Sequence, residues 1–176
     1  MTSTVQPVDP TQAVGLAKTL LERLQRRIGP IPQNVLIVAN SRSALQGYLS
    51  FFGALRNASI PAKVCEQVGL LMSELNGSPF DRAQHAMAAR RMGLPESEIE
   101  SAARGRSSTP KAAAALTFAR ALVESHGQVR EEDLEAIRAA GYSDGQIIEL
   151  IGLVALNTFA NYVANATGLR VGIAKQ

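Results

Sequence analysis

Four side chains that can exchange protons lie close together in the middle of the sequence. Ser78, Asp81 and His85 follow one another at spacings of three and four residues, which places all three on one face of a helix. Glu66 precedes Ser78 by twelve residues. A carboxylate and an imidazole that are held together in an apolar setting are suited to moving protons. This group therefore predicts a site for general acid–base chemistry.

The same segment, NGSPFDRAQH, also has a purely structural interpretation. Ser78 is a preferred N-cap, Pro79 fits the first helical position, and an acidic residue at Asp81 favours the positive end of the helix dipole. The Asp81 carboxylate could bond back to the Ser78 amide, as in a capping box, and His85 could pair with Asp81. On local sequence alone, this structural interpretation is the more frequent outcome.

Two helices must bring the proton-exchanging residues together. Pro61 and Gly77 bound the first of these predicted helices, and the second begins after Ser78. A tight turn between them folds the second helix back antiparallel to the first. Glu66 and His85 are then expected to face each other across the hairpin, with a pocket between the two helices.

The rest of the chain predicts an all-α fold of eight or nine helices. No run of alternating Val, Ile and Thr indicates a strand. Ser143 and Gly168 bound the last helix, which is apolar nearly all round and is therefore either a core helix or a subunit interface, or both. The first helix is predicted over residues 11–28. Its apolar stripe comprises Val14, Ala17, Leu20, Leu21, Leu24 and Ile28.

Three asparagines share one face of the last helix. Asn157, Asn161 and Asn165 are spaced four residues apart, so they stack along that face. Amide side chains on an apolar helix need partners, and we expect these to form hydrogen bonds within the core or across an interface. A contact from Asn161 to a substrate is the lesser alternative.

Composition is typical of one soluble domain. The chain has 176 residues, of which 46% are hydrophobic and 19% charged. We predict a flexible arm at residues 1–10 and a single domain over residues 11–170. The formal charge of +3 is thinly spread, which argues against nucleic-acid binding. Polar residues interrupt the most apolar segment, so no membrane span is expected. The lone Cys65 excludes an internal disulfide and fits a cytoplasmic location.

The motif around these residues resembles that of the AhpD-like, carboxymuconolactone decarboxylase superfamily, particularly its alkylhydroperoxidase and peroxidase-related members. In that family the motif is a Glu, eleven residues, a Cys, two residues, a second Cys, three residues and a His. Glu66 and His85 match the two ends of the motif in type and spacing. Ser78 and Asp81 occupy both cysteine positions.

Segments outside the motif extend the resemblance over most of residues 20–168. They include IPQN at residues 31–34, MGL at residues 92–94, and AAGYSDGQIIELIGLVALNTFANYVAN near the C-terminus. The resemblance implies a single-domain AhpD-like helical bundle. It also implies a homo-oligomer, often a trimer or a hexamer built from dimers.

The two substitutions remove the family's thiol chemistry. In the redox members one cysteine thiolate attacks the peroxide and the other closes a disulfide, while Glu and His relay protons. Neither Ser78 nor Asp81 can do this, because a serine hydroxyl ionises too weakly and neither side chain forms a disulfide. Glu66 and His85 survive as a proton-transfer pair, with Asp81 and Ser78 predicted to orient a small-molecule substrate. Decarboxylase- or lactone-type chemistry is therefore expected.

Two alternatives stay open. In the first, the chain is a catalytically silent binding or scaffold relative, and Ser78 and Asp81 serve only as a helix cap. In the second, less favoured, Cys65 supports a peroxidase activity, although a helical cysteine is more often a small buried apolar residue and Glu66 disfavours its thiolate. No cofactor is expected. Metal binding by Glu66, Asp81 and His85 is also not expected, because the usual ligand spacings are missing.

Overall fold

The computed structural model describes residues 5–170. Within that range the chain forms nine helices and no strand, which confirms the predicted all-α class. The fourth helix is central, because it contacts the fifth, sixth, seventh and ninth helices. The helices are α1 (Gly15–Ile28), α2 (Gln33–Val38), α3 (Arg42–Leu55), α4 (Ala62–Leu75), α5 (Pro79–Arg91), α6 (Glu96–Ala103), α7 (Pro110–Glu124), α8 (Glu131–Ala139) and α9 (Asp144–Thr167).

Helix α9 begins and ends where its capping residues predict. The Ser143 hydroxyl accepts a hydrogen bond from the Gln146 amide at 3.2 Å, and the Gln146 side chain accepts one from the Ser143 amide at 3.1 Å. This reciprocal pair is a capping box. Gly168 ends the helix in the left-handed conformation that favours glycine.

Helix α1 begins four residues later than predicted. The Asp9 carboxylate accepts hydrogen bonds from the Thr11 amide at 2.8 Å and the Thr11 hydroxyl at 2.7 Å, which commits this segment to a turn. Gly15 then starts the helix with a φ of 58°. The predicted stripe is wrong at its two ends, because Val14 is 80% exposed and Ile28 is 45% exposed.

The core has two hydrophobic clusters. The larger one surrounds α4 and α7, where Leu71 and Leu116 are completely buried. The smaller one lies between α1, α2 and α3 and includes the buried Leu21 and Leu45. Helix α9 contributes Leu150 to the first cluster and Val163 to the second, so it packs against both.

Residues 6–8 lie against α2. The Val8 amide donates to the Leu36 carbonyl at 3.0 Å, and the Asn40 side chain donates to the Gln6 carbonyl at 2.8 Å. The flexibility predicted for residues 1–10 stays a prediction, and its first four residues lie outside the described range.

By length and composition, α9 is the one helix among the described residues that could cross a membrane. Its most apolar 18-residue window has a mean hydropathy of 1.6. This is weak support for a membrane span, because the core helix of a globular protein passes the same test. In this fold 44% of that window is buried inside the molecule.

Candidate proton-transfer site

Glu66 and His85 face each other across the α4–α5 hairpin, as the sequence predicts. The turn between the helices uses Gly77 with a φ of 60°, a backbone conformation that favours glycine. His85 Nδ1 lies 2.8 Å from Glu66 Oε2. The two side chains are 25% and 20% exposed. The pair is therefore sheltered by the fold but remains reachable from solvent.

Asn157 of α9 holds the other side of the imidazole. Its Oδ1 lies 3.0 Å from His85 Nε2. Its Nδ2 donates to the Leu153 carbonyl at 2.8 Å, which fixes the orientation of the amide. Because the Asn157 oxygen can only accept, His85 Nε2 must carry a hydrogen and donate it.

That constraint leaves one proton for the contact between His85 Nδ1 and Glu66 Oε2. With the proton on nitrogen the pair is an imidazolium and a carboxylate, and with the proton on oxygen it is an imidazole and a carboxylic acid. Within residues 5–170, no hydrogen bond engages the other carboxylate oxygen, Glu66 Oε1. The pair therefore shares one hydrogen between His85 Nδ1 and Glu66 Oε2, and the described residues leave Oε1 unengaged.

Gly69 makes room for the imidazole, and sequence reasoning missed it. A Cβ at this position would lie 2.4 Å from the nearest atom of the His85 ring, so any larger residue would displace the ring. A glycine inside a helix costs about 1 kcal/mol relative to alanine. The only signal in the sequence is this isolated glycine within a helical pattern.

The imidazole of His85 packs on Gly69 in the region where the sequence predicts a pocket between α4 and α5, and that pocket stays a prediction. At this level the imidazole itself fills the space between the two helices. The two cavities found beside α9 are lined by neither Glu66 nor His85. Solvent reaches the pair through its partly exposed side chains.

Asp81 belongs to a second polar group, separate from the Glu66–His85 pair. Its Oδ2 accepts a hydrogen bond from the Ser78 hydroxyl at 2.6 Å and another from Asn161 Nδ2 at 3.0 Å. All three residues are buried. The partner of His85 is Glu66, and not Asp81 as the structural interpretation of this segment proposed. Asp81 lies in the first turn of α5, where the helix dipole favours a carboxylate.

The predicted capping bonds at Ser78 do not form. Ser78 occupies the N-cap position of α5, but its hydroxyl donates to Asp81 and accepts no backbone hydrogen bond. Its amide donates to the Ser73 carbonyl at 2.8 Å. Since the end of α4 already uses this amide, the Asp81 carboxylate has no capping-box partner there.

The asparagines of α9 form hydrogen bonds within the fold, as predicted. In addition to the bonds of Asn157 and Asn161 described above, Asn161 Oδ1 accepts from Asn76 Nδ2 at 3.0 Å. Asn165 Nδ2 donates to the Asn76 carbonyl at 2.7 Å. These contacts tie the turn of the α4–α5 hairpin to α9, and thereby fix the start of α5.

Tyr48 of α3 is a further neighbour of Asp81 that the sequence did not single out. Burial and the nearby Asp81 carboxylate raise the pKa of Tyr48 to about 12. Its ring centroid lies 5.6 Å from that of Phe159 on α9. The phenol therefore remains protonated at neutral pH and places a neutral polar group near the buried carboxylate.

Cys65, which precedes Glu66 on α4, is half-buried. Burial raises the pKa of the Cys65 thiol to about 11, with smaller contributions from the negative charges of Glu66 and Glu149. The thiolate form is the nucleophile in cysteine redox chemistry, and this environment disfavours it. Within residues 5–170, no group of three or more His, Cys, Asp or Glu side chains is placed to hold a metal ion.

No protein-family model matches the chain, and no curated protein matches it. Solved structures do match over nearly the whole length. An uncharacterized peroxidase-related protein from Ralstonia eutropha JMP134, described as an alkylhydroperoxidase AhpD core, is 19% identical with a TM-score of 0.85, covering 98% of this chain and 94% of that one. A peroxidase-related protein from Silicibacter sp. TM1040 is 18% identical with a TM-score of 0.81, at the same coverages.

The debrominase Bmp8 also matches, as a cysteine-to-alanine variant in complex with 2,3,4-tribromopyrrole. It is 19% identical with a TM-score of 0.81, and the match covers 99% of this chain and 94% of that one. Together these neighbours establish the single-domain AhpD-like fold that the sequence resemblance implies. At such identities the likeness establishes the fold alone. Within that fold this chain carries Ser78 and Asp81, and its one cysteine is Cys65.

Proposed function

We propose that this protein is a cysteine-independent acid–base enzyme that acts on a small organic molecule. Decarboxylase- or lactone-type chemistry, as in the carboxymuconolactone decarboxylase-like class, is the reaction type we favour. The supporting observation is the chain of hydrogen bonds from Asn157 through His85 to Glu66. It holds one transferable proton beside a carboxylate oxygen that no neighbour among the described residues engages.

In this proposal each of the three residues has one role. Glu66 exchanges the proton with the substrate through Oε1, and His85 stores it at Nδ1. Asn157 keeps the ring in place through Nε2. In a decarboxylation, the bond to the departing CO₂ breaks and its electron pair passes into the conjugated system of the substrate. The Glu66–His85 pair then delivers a proton to carbon.

Asp81 and Ser78 are proposed to orient the substrate. Asp81 Oδ2 is fixed by two donors, but within residues 5–170 its Oδ1 accepts no hydrogen bond. That oxygen would accept a hydrogen bond from a donor group of the substrate. Ser78 would act indirectly, by holding the carboxylate in this orientation.

A carboxy-substituted unsaturated lactone tests the proposal. CO₂ release, and incorporation of deuterium from D₂O into the product, report the two steps. Glu66→Gln and His85→Gln are expected to lower turnover by about 10² to 10⁴, the range typical of acid–base groups. Ser78→Ala is the matched control in the same hairpin and should lower turnover by less than about tenfold. Equal losses in all three folded variants would contradict the roles proposed for Glu66 and His85.

A catalytically silent binding protein is the second candidate. It is favoured by the buried group of Ser78, Asp81 and Asn161, in which Asp81 Oδ2 accepts hydrogen bonds from both of the other residues, so that the group resembles a structural replacement for the thiols. Failure of a broad panel of lactones and carboxylic acids to turn over, together with saturable binding of one of them, would favour this candidate. For either candidate we propose a cytoplasmic location, which cell fractionation tests.

A further inference from the structure

The proposed reaction develops a negative charge on the substrate, which needs a positive partner beside the Glu66–His85 pair. In the decarboxylation proposed above, on which this inference rests, the bond to CO₂ breaks and its electron pair enters the conjugated lactone. The charge of the carboxylate then comes to rest on the carbonyl oxygen, as an enolate, until the pair delivers its proton to carbon. Such a step is accelerated by a positive group placed where the charge develops.

Two Lys or Arg side chains lie within one helical turn of Glu66, His85 or Asn157 on the helices that carry them. They are Lys63 on α4 and Arg82 on α5, whereas α9 contains no Lys or Arg. Each helix of the hairpin therefore offers one candidate for the positive partner, and the contacts of the two side chains distinguish them.

Arg82 is already engaged by two carboxylates. Its Nε lies 3.2 Å from Glu74 Oε2, and its Nη2 lies 2.9 Å from Glu100 Oε2. These contacts tie α5 to α4 and α6. A guanidinium that moved away to bind a substrate would leave both carboxylates without this partner, so Arg82 is unsuited to the task.

Lys63 has no such partner. Its side chain is exposed, and within residues 5–170 its ammonium forms no hydrogen bond and no ion pair. It lies three residues before Glu66, so the two residues are about 60° apart around α4 and about 4.5 Å apart along it, which makes them neighbours on the helix surface. The first turn of a helix disfavours a cation, so the stability of α4 does not account for this lysine.

We propose that the Lys63 ammonium stabilises the enolate oxygen of the substrate while Glu66 delivers the proton to carbon. The ammonium keeps its own protons throughout and acts through its charge and its hydrogen bonds. A substrate held in this way lies along α4, with its carbonyl oxygen at Lys63 and its reacting carbon at Glu66 Oε1. The site selects compounds whose carbonyl is conjugated with the reacting carbon, since only these pass the charge to an oxygen within reach of Lys63.

Tetronate tests this inference without turnover. It is a five-membered lactone that already carries the enolate charge at neutral pH, and the neutral butenolide with the same ring is the reference ligand. Lys63→Met should weaken tetronate binding roughly fivefold, as expected for an exposed ion pair, and leave butenolide binding unchanged. Lys63→Arg keeps the charge and should bind tetronate as the wild type does. Lys18→Met, which removes the α1 lysine that pairs with Glu22, is the matched control and should also bind normally.

Isothermal titration calorimetry measures these affinities. Equal affinity of tetronate for the wild type and for folded Lys63→Met would overturn the inference. No binding of tetronate to the wild type at about 10 mM would do the same.

Turnover of the carboxy-substituted lactone distinguishes failure of this inference from failure of the proposed function. Lys63→Met should lower kcat by about 10- to 100-fold, with KM changed by less than about threefold, because the enolate charge develops only as CO₂ leaves. An unchanged kcat in this variant, alongside a large loss in Glu66→Gln, would overturn the inference alone. Lys63-dependent binding of tetronate by a wild-type chain that releases no CO₂ would contradict the decarboxylation and still support the enolate site.

Discussion

Two hydrogen-bonded groups attach to α9 one helical turn apart, and they differ in the solvent exposure of their outermost residue. From Asn157 the bonds run to His85 and on to Glu66, whose Oε1 is free of hydrogen bonds from the described residues. From Asn161 they run to Asp81, whose Oδ2 also accepts from Ser78, and all three of these residues are buried. The first group ends at a partly exposed carboxylate, and the second is enclosed.

The contrast separates an accessible arrangement from an enclosed one. In the proposed function the Glu66–His85 pair exchanges a proton with a substrate, and the partial exposure of both side chains permits this. The enclosed group instead satisfies buried polar atoms that would otherwise destabilise the fold. Ser78 and Asp81, which occupy the cysteine positions of the motif that the sequence resembles, both lie in the enclosed group. Glu66 and His85, which match the two ends of that motif, lie outside it.

The largest expected effect on stability comes from breaking the enclosed group. Asp81→Ala leaves the buried Ser78 hydroxyl and the Asn161 amide without their acceptor, which should lower the free energy of unfolding by about 3 kcal/mol. Glu66→Ala removes a partner of the partly exposed His85 and should cost about 1 kcal/mol. Urea denaturation of both variants measures the difference. Equal losses would mean that the two groups do not differ as described.

Gly69→Ala should perturb the group of Asn157, His85 and Glu66, because Gly69 lies against the His85 ring. The added methyl would lie 2.4 Å from the His85 ring, so the ring must move away from Asn157 or Glu66. Crowding of this kind costs about 1–3 kcal/mol, against about 1 kcal/mol gained from helix propensity. The net loss of stability should therefore be small, while the His85 ring resonances in NMR spectra shift clearly. Unchanged ring resonances would show that the imidazole does not rest on Gly69.

The smallest expected effect is on the ionisation of the Cys65 thiol, which neighbours Glu66 in the sequence. With the pKa of Cys65 raised from 9.0 to about 11, its thiolate at pH 8 is roughly 100-fold scarcer than that of an ordinary cysteine. Alkylation by iodoacetamide should therefore rise with a midpoint near pH 11 in the folded chain and near pH 9 in urea. The protonated thiol stabilises the fold below pH 9, and this contribution is lost as the pH rises towards 11. Glu66→Gln should lower the midpoint, and a folded-state midpoint near 9 would contradict the burial described for Cys65.

Local capping signals account for most of the fold that could be predicted from the sequence. Ser143 and Gly168 bound α9 because each acts through its own backbone neighbourhood. The start of α1 was wrong because residues 11–14 continue an apolar helical pattern, whereas Asp9 bonds to Thr11 and makes a turn. Periodicity does not register such a side-chain bond. The prediction that Val14 belongs to the apolar stripe of α1 was wrong for the same reason, because Val14 precedes the helix and is exposed.

The site was predictable only in part. The spacing of Glu66 and His85 about a tight turn is enough to bring them together, since both lie on one hairpin. The contacts from Asn157 to His85 and from Asn161 to Asp81 join residues 72 and 80 positions apart. A single sequence predicts that such amides need partners, but it does not say which partners they find. Gly69 was not predicted because its role is to leave room for the His85 ring, and the absence of a side chain gives no pattern in the sequence.

The four-residue spacing of Asn157 and Asn161 couples the two groups mechanically. Any screw motion of α9 relative to the hairpin would break the His85 and Asp81 contacts in the same step, since one rigid helix carries both. Sliding of α9 would therefore cost the hydrogen bonds of both groups together. Helix α9 thus holds His85 and Asp81 of α5 in place at the same time.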